Sequence, residues 1–337
     1  MRSDGNGVLL VGHLGVDLGL GPLASLPAFG QEVLVDLRTS RPGGPVTNSG
    51  AVFAALGLPW GAVSVLGADD EGRRVLAALE ALGADLRGVR LLAERPTSLS
   101  LALLREDGER AFVTHLGAFA TLTTAQVAES LERGRYRWLF LNGTCLLPGA
   151  LLAELPALAR RFRAGGGRVA VDTGWDPAGW PPERVELHRT LLAESDLFFP
   201  NLLEAAALAG LRPSPEAAAA GPRPLGVQDL REGVEALLSA LAALCPGEVV
   251  LKLGSAGSAL RPAGGEETLY APATAEPLAD STGAGDAFDA AYLYALTRGL
   301  PAPRRLEFAN RLVPVALRWR EALRPHHLEE LRRAFGL

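Results

Sequence analysis

Short apolar runs, each closed by a glycine or a polar residue, recur along this chain and alternate with longer stretches rich in Ala and Leu. Val8-Leu9-Leu10-Val11 is the first such run, ending at Gly12, and Ala62-Val63-Ser64-Val65-Leu66-Gly67 is the next. Trp138–Leu141, Arg168–Val171, Asp196–Phe199 and Val249–Leu251 complete the series. A strand that is apolar on both faces is one buried in a parallel sheet. The stretches between them, such as Leu151–Phe162 and Val234–Leu244, carry apolar residues at helical spacing. This order predicts an α/β architecture, a mostly parallel central sheet flanked by helices on both faces.

Three segments depart from the alternation. Gly30–Arg38, with Val33, Val35 and Leu37 in alternation, predicts a strand that Arg41-Pro42-Gly43-Gly44-Pro45 breaks, and Val46–Gly57 predicts a helix with a glycine cap. Thr97–Leu104 and Arg110–His115 predict a hairpin turning at Glu106-Asp107-Gly108. A hairpin set among alternating strands and helices implies a separate small sheet. Pro213–Pro224, rich in Pro, Ala and Gly, predicts a surface loop.

Composition narrows the class. The 337 residues are 48% hydrophobic and 21% charged, enough for a large core, and no apolar run has the length of a membrane span. The first residues lack a basic region and Val8–Val11 is too short for a signal-peptide core, so the expectation is a cytoplasmic protein with no membrane partner. The net charge of -5, with signs interspersed, gives no basic stripe for nucleic acid. Cys145 and Cys245 stand far apart in apolar contexts and are expected to pack in the core. Lys252 is the only lysine and follows an apolar run rather than a glycine loop, which excludes P-loop chemistry; Gly12 and Gly15 do not have dinucleotide-fingerprint spacing.

Candidate chemistry concentrates near the C-terminal end, in Asp280-Ser281-Thr282-Gly283-Ala284-Gly285-Asp286-Ala287-Phe288 and the apolar helical run behind it. Glycines feeding a helix start let unpaired amides approach an anion closely. Asp286 in the first turn is a candidate base, although an acid there also simply complements the helix dipole. Asp17, past the first strand, is placed at the ligand crevice of an α/β sheet, or else in a local turn. Asn142, Gly143, Asp172, Asn201, Gly254 and Gly257 also follow strands.

The segment ending at Asp286 resembles the C-terminal signature of the ribokinase-like (PfkB) carbohydrate kinases, D-T-x-G-A-G-D-x-F, with Ser281 ahead of Thr282 as a minor variation. Further segments resemble that family's motifs in the same order. They are Gly43-Gly44 with Asn48, the Gly67-x-Asp69-x-x-Gly72 segment, Asn201-x-x-Glu204, and Gly254 to Gly257 with Lys252 just before it. The resemblance covers essentially residues 1–337 as one ribokinase-like domain, with a β-sheet lid drawn from about 13–45 and 96–117. It implies Asp286 as general base and the Gly283, Ala284 and Gly285 amides as anion hole. Asp17, Gly43, Gly44, Asn48 and Arg110 are implied at the sugar, with His115 a further lid candidate. Asn201, Lys252, Gly254, Gly257, Thr282 and Asn310 are implied at the nucleotide, and Glu204, through water, with Asn201 at Mg²⁺. A capping box predicts the same Asn and Glu at the same spacing. Pro45, Thr47, and Arg311–Val315 without a later glycine depart from the family pattern, and the stretch from Asp172 to Trp180 is only faintly similar to the D-P-N-x-R-x-x-x-W of fructokinase- and ketodeoxygluconate-kinase-like members, its Arg and Asn being absent.

The implied activity is transfer of the γ-phosphoryl of ATP to a primary hydroxyl of a sugar or sugar acid, with Mg²⁺ and a monovalent cation such as K⁺ as cofactors. Its partner is a small-molecule substrate, with a homodimer through the lid allowed. A nucleoside kinase of the same fold is the alternative. A catalytically silent sugar sensor is disfavoured because Asp286, Gly283, Gly285, Asn201 and Glu204 are all present.

Overall fold

The computed structural model describes residues 5–106, 110–211, 227–274, 281–319 and 322–337. The expected turn at Asp107-Gly108, the loop Pro213–Pro224 and Asp280 at the head of the signature lie outside the described residues.

In chain order the strands are β1 (Gly7–Gly12), β2 (Gly15–Leu23), β3 (Leu37–Gly43), β4 (Trp60–Gly67), β5 (Asp85–Leu92), β6 (Leu99–Arg105) and β7 (Arg110–His115). They continue with β8 (Tyr136–Asn142), β9 (Arg168–Asp172), β10 (Leu197–Phe198), β11 (Glu248–Lys252), β12 (Ser258–Arg261) and β13 (Leu269–Ala271). Among the described residues the helices of eight residues or more are α1 (Pro45–Leu56), α2 (Asp70–Ala81), α3 (Thr124–Arg133), α4 (Gly149–Ala164), α5 (Pro182–Leu192), α6 (Leu202–Ala209), α7 (Val227–Ala242), α8 (Ala284–Thr297) and α9 (Ala302–Arg318).

A nine-stranded sheet has the order β13-β12-β11-β10-β9-β8-β1-β4-β5. It is parallel from β5 to β11, while β12 and β13 add on antiparallel at one edge. The period-two geometry of the strands divides their side chains between two cores. Val8, Leu10, Trp138 and Phe140 pack with α1, α8 and α9 on one face. Leu9, Val11, Leu139 and Leu141 pack with α3 to α7 on the other. Strands with both faces buried are the reason these segments are apolar throughout rather than alternating. Cys145 and Cys245 are buried free thiols.

The second sheet has four strands in the order β3-β2-β6-β7. Its first strand is not where the hydrophobic alternation puts it. Residues 31–36 form no strand, with Val33 and Leu34 exposed, and β3 instead runs through the Arg41-Pro42-Gly43 segment expected to break it. Pro42 is tolerated because β3 is an edge strand paired only to β2, so its missing N–H faces no partner. Asp17 likewise belongs to a strand, β2, opposite Arg41 on one side and Ser100 on the other. Asp69 anchors the base of this sheet. Its carboxylate caps α2 through the Gly72 N–H (2.8 Å) and accepts both the amide and the hydroxyl of Thr97 (2.7 and 2.6 Å).

Candidate active site

The site is built on the head of α8. Gly283, at φ 78°, precedes the helix in the left-handed region, and a side chain there would press on the Asn48 amide at 2.9 Å. The Ala284 N–H closes onto the Ser281 carbonyl (3.0 Å), and the Gly285 and Asp286 amides that follow head the helix with no carbonyl a turn earlier within it. Asp286 stands among these amides. Asn48 on α1 donates to its Oδ2 at 2.8 Å. Burial and the Asp172 charge push its carboxyl up to about 6, against the pull of Asn48 and Lys252. The backbone is held as well: Ser49 donates to the Asp286 carbonyl (3.0 Å), and Asn142 at the end of β8 donates to Ser49 Oγ (2.8 Å). The Oδ1 of Asn142 is buried without a hydrogen-bond partner in the protein.

On the lid side, Asp17 is close enough for its charge to act on Asp286. Its carboxylate lies over Gly43, where an added Cβ would come within 2.3 Å of both oxygens, and Gly44, at φ 90°, packs against the His13 carbonyl just as closely. The Gly-Gly pair is therefore required by close approach as well as by the turn. Arg110, the first residue of β7, spans the cleft and donates to Thr282 Oγ1 at 2.6 Å and to Ser281 Oγ at 3.5 Å. His115 is exposed at the far end of the same strand, its carbonyl accepting from Ser98 (2.8 Å). Ser98 also bonds the buried His13 ring, whose pKa burial lowers to about 4.

On the opposite side, Asn201 and Glu204 form the capping box of α6. Asn201 Oδ1 accepts from the Leu203 and Glu204 amides (2.9 and 3.0 Å), and Glu204 accepts from the Asn201 amide (3.0 Å) and from its Nδ2 (2.6 Å). Glu204 is buried, and burial with the Asp172 charge lifts its carboxyl to about 7. Asn201 pairs with Lys252 across the ends of β10 and β11. The Lys252 ammonium lies 2.5 Å from Asp172 and 3.0 Å from Asp289. Gly254 (φ 59°) turns into open space, whereas Gly257 (φ 100°) sits where a Cβ would collide with the Ala271 carbonyl. Asn310 on α9 is buried, and its amide group donates to Ser258 Oγ, Ala271 O and Pro272 O at 3.0–3.1 Å, so its hydrogens are committed to the β12–β13 seam.

Hydrogen bonds, ion pairs and electrostatic coupling thus link Asp17, Asn48, Arg110, Thr282, Gly283 to Asp286, Asn201, Glu204 and Lys252 into one cluster, and His115 lies aside. Sequence reasoning misses Ser49 and Asp289. Only the burial of polar residues within apolar helices could have signalled them.

The residues present suit a nucleotide phosphate and a hydrated divalent cation. The α8 head offers amides beside Gly283, where any side chain would collide with Asn48. Among the described residues no cluster of three or more His, Cys, Asp or Glu forms a metal cage. Mg²⁺, which keeps several waters and takes few carboxylates, requires none.

Residues 7–318 match the family model described as pfkB family carbohydrate kinase. The aminoimidazole riboside kinase of Salmonella typhimurium is 28% identical over 260 residues, covering 76% of this chain and 74% of its own length. The ribokinase of Arabidopsis thaliana is 26% identical over 310 residues, 90% of this chain and 73% of that protein. Among solved structures, an Escherichia coli ribokinase II in complex with ATP and Mg²⁺ superposes with a TM-score of 0.76 at 21% identity, over 98% of this chain and 99% of its own.

Proposed function

Since the chain belongs to the pfkB family of carbohydrate kinases, we propose that it transfers the γ-phosphoryl group of ATP to a primary hydroxyl of a sugar or sugar acid, in the cytoplasm. Asp286 is the general base. A carboxyl held near 6 is ionised at neutral pH yet basic enough to take a proton as the hydroxyl attacks. The amides at Gly283 to Gly285 are the anion hole where negative charge grows on the transferring group, that of Ala284 joining once it leaves the Ser281 carbonyl. The observation that carries this reading is their juxtaposition on one helix start, with Asn48 holding the carboxylate at 2.8 Å.

Asp17, Gly43, Gly44, Asn48 and Arg110 bind the acceptor. Asp17 accepts hydrogen bonds from two of its hydroxyls, while Arg110, already reaching Thr282, closes the lid side against water. The nucleotide lies along Thr282, Gly254 and Gly257, with Asn310 shaping the base end, and Asn201 and Glu204 would hold the waters of Mg²⁺ with the lone pairs that their capping box leaves over. Bound Mg²⁺ supplies positive charge to the phosphates. A requirement for a monovalent cation such as K⁺ belongs to the same proposal, tested by replacing K⁺ with a bulky organic cation.

The direct test is ADP release from ATP and Mg²⁺ against a panel of sugars, sugar acids and nucleosides. Turnover restricted to nucleosides would favour the alternative to which the aminoimidazole riboside kinase relative points. Turnover with none of them, alongside retained sugar binding, would make the protein a silent sensor.

A further inference from the structure

Lys252 ends β11, and its ammonium joins three elements. It lies 2.5 Å from Asp172 Oδ2 at the end of β9, and 3.2 and 3.0 Å from Oδ1 and Oδ2 of Asp289, one turn after Asp286 on α8. Asp289 is fully buried, Asp172 nearly so, and the Lys252 side chain is 14% exposed. A Cβ on Gly285 would stand 3.4 Å from Nζ, so the charge sits directly under the first turn of α8. Its partners within the protein are thus two carboxylates, Asp172 and Asp289, and through them it ties β9 and β11 to α8.

A buried ion pair is a weak source of stability, because desolvation offsets most of the attraction. Its value here lies in what it holds. We propose that Lys252 is a positioning residue for phosphoryl transfer: gripped by Asp172 and Asp289, it fixes the first turn of α8 and supplies the positive charge in whose field Asp286 takes up the hydroxyl proton. This rests on the reading of Asp286 as the base. The groups facing Asp286 are Asn48 from α1, Asp17 from the lid, Asp172 from β9 and Lys252 from β11. Arg110 lies across the cleft on Thr282, and Glu204 faces Asp172 and Lys252 from α6. Of the groups acting on the base, Lys252 favours its ionised form, and Asp172 and Asp17 oppose it. Burial raises Asp289 well above the usual carboxylate range, against the pull of Lys252, so Asp172 is the more informative acid to alter.

The test compares the full-length parent with Lys252→Met, Lys252→Arg and Asp172→Asn. It measures kcat/KM against pH on a turned-over acceptor, and the affinity of a non-hydrolysable ATP analogue by calorimetry. Removing the cation should move the acid limb of Lys252→Met to higher pH by about one unit and lower kcat on the plateau by roughly tenfold or more. Asp172→Asn should move the limb the other way, to lower pH. Lys252→Arg should leave it near the parent's, and analogue affinity should stay within about threefold throughout. Limbs shifting in the same sense in Lys252→Met and Asp172→Asn would reduce the cluster to a structural one and overturn the proposal. So would a tenfold loss of analogue affinity with an unmoved limb, which would make the ammonium a phosphate ligand. If Lys252→Met does not fold, the downward shift of Asp172→Asn and the retained limb of Lys252→Arg still decide. A parent that phosphorylates no acceptor overturns the kinase reading and this inference with it, whereas an active parent with unmoved limbs overturns this inference alone.

Discussion

Asp286 keeps its charge at neutral pH against its surroundings, and that opposition is measurable in the folded state without substrate. Its carboxyl is pushed up to about 6, first by burial and then by Asp172. A carboxyl raised in the folded state is neutral, and without penalty, below about pH 4; the fold loses stability as pH rises from about 4 to 6, and the loss is full above that. The gap from an ordinary aspartate corresponds to at most about 3 kcal/mol, less to the extent that the partly exposed carboxylate keeps contact with water. Asp286→Asn is therefore expected to raise the melting temperature of the ligand-free protein at pH 8, with the gain fading toward pH 4; a melting temperature that falls equally at both pH values would contradict the burial argument. Asp17 makes a different prediction. If the half-buried Asp17 carboxylate bonds two hydroxyls, an analogue lacking one is penalised, so Asp17→Ala should raise KM for the sugar steeply and leave KM for ATP nearly unchanged. It should also erase most of the discrimination against the deoxy sugar, a preference that can reach about 10⁴-fold. A variant that discriminates as well as the parent would place the contact elsewhere, with Asn48 next to test.

Elements bring these side chains together, and their joints can be tested. Asp69 caps α2 and holds Thr97 at the root of the lid hairpin through bonds of 2.6–2.8 Å. Asp69→Ala should cost about 1–2 kcal/mol by loss of the cap alone, seen as a lowered urea midpoint; an unchanged midpoint would mean that the joint holds without it. The buried strands β1, β4, β8, β9 and β11 are legible in the sequence because both of their faces meet helices. The α8 head is legible because Gly283 and Gly285 have no other use in so apolar a run. Other parts are not. β3 hides because an edge strand can contain Pro42 and Arg41, whereas the better alternation at Val33 and Val35 has no partner to cover it. Asn201 and Glu204 suit a capping box and a metal site equally by spacing, and the box is what their side chains form within the protein. Lys252 looks like a free cation ahead of a glycine loop because Asp172 and Asp289, which engage it, are 80 and 37 residues away.

At the scale of the molecule, the lid sheet is two-sided. Alternation puts Asp17, Ser100 and Thr114 on one face, the two hydroxyls bonded at 3.0 Å, and Leu18, Leu101 and Val113 on the other, where Val113 is 61% exposed. The polar face serves the crevice, and we propose that the apolar face pairs with the lid of a second copy. Sedimentation should then show a dimer that Val113→Glu dissociates, and a parent that stays monomeric at high concentration would rule the pairing out. Between that sheet and the main one, the Asp17 carboxylate faces Asp286 at the head of α8, the proposed base. The most direct measurement of that role follows ATP, Mg²⁺ and the turned-over acceptor by phosphorus NMR with the parent and with Asp286→Asn, alongside calorimetry of both ligands. The expected result is a phosphomonoester on the primary hydroxyl with the parent, a kcat lower by roughly 10²-fold or more in the variant, and little change in either affinity. A variant that forms the same product at near-parental rate would contradict it.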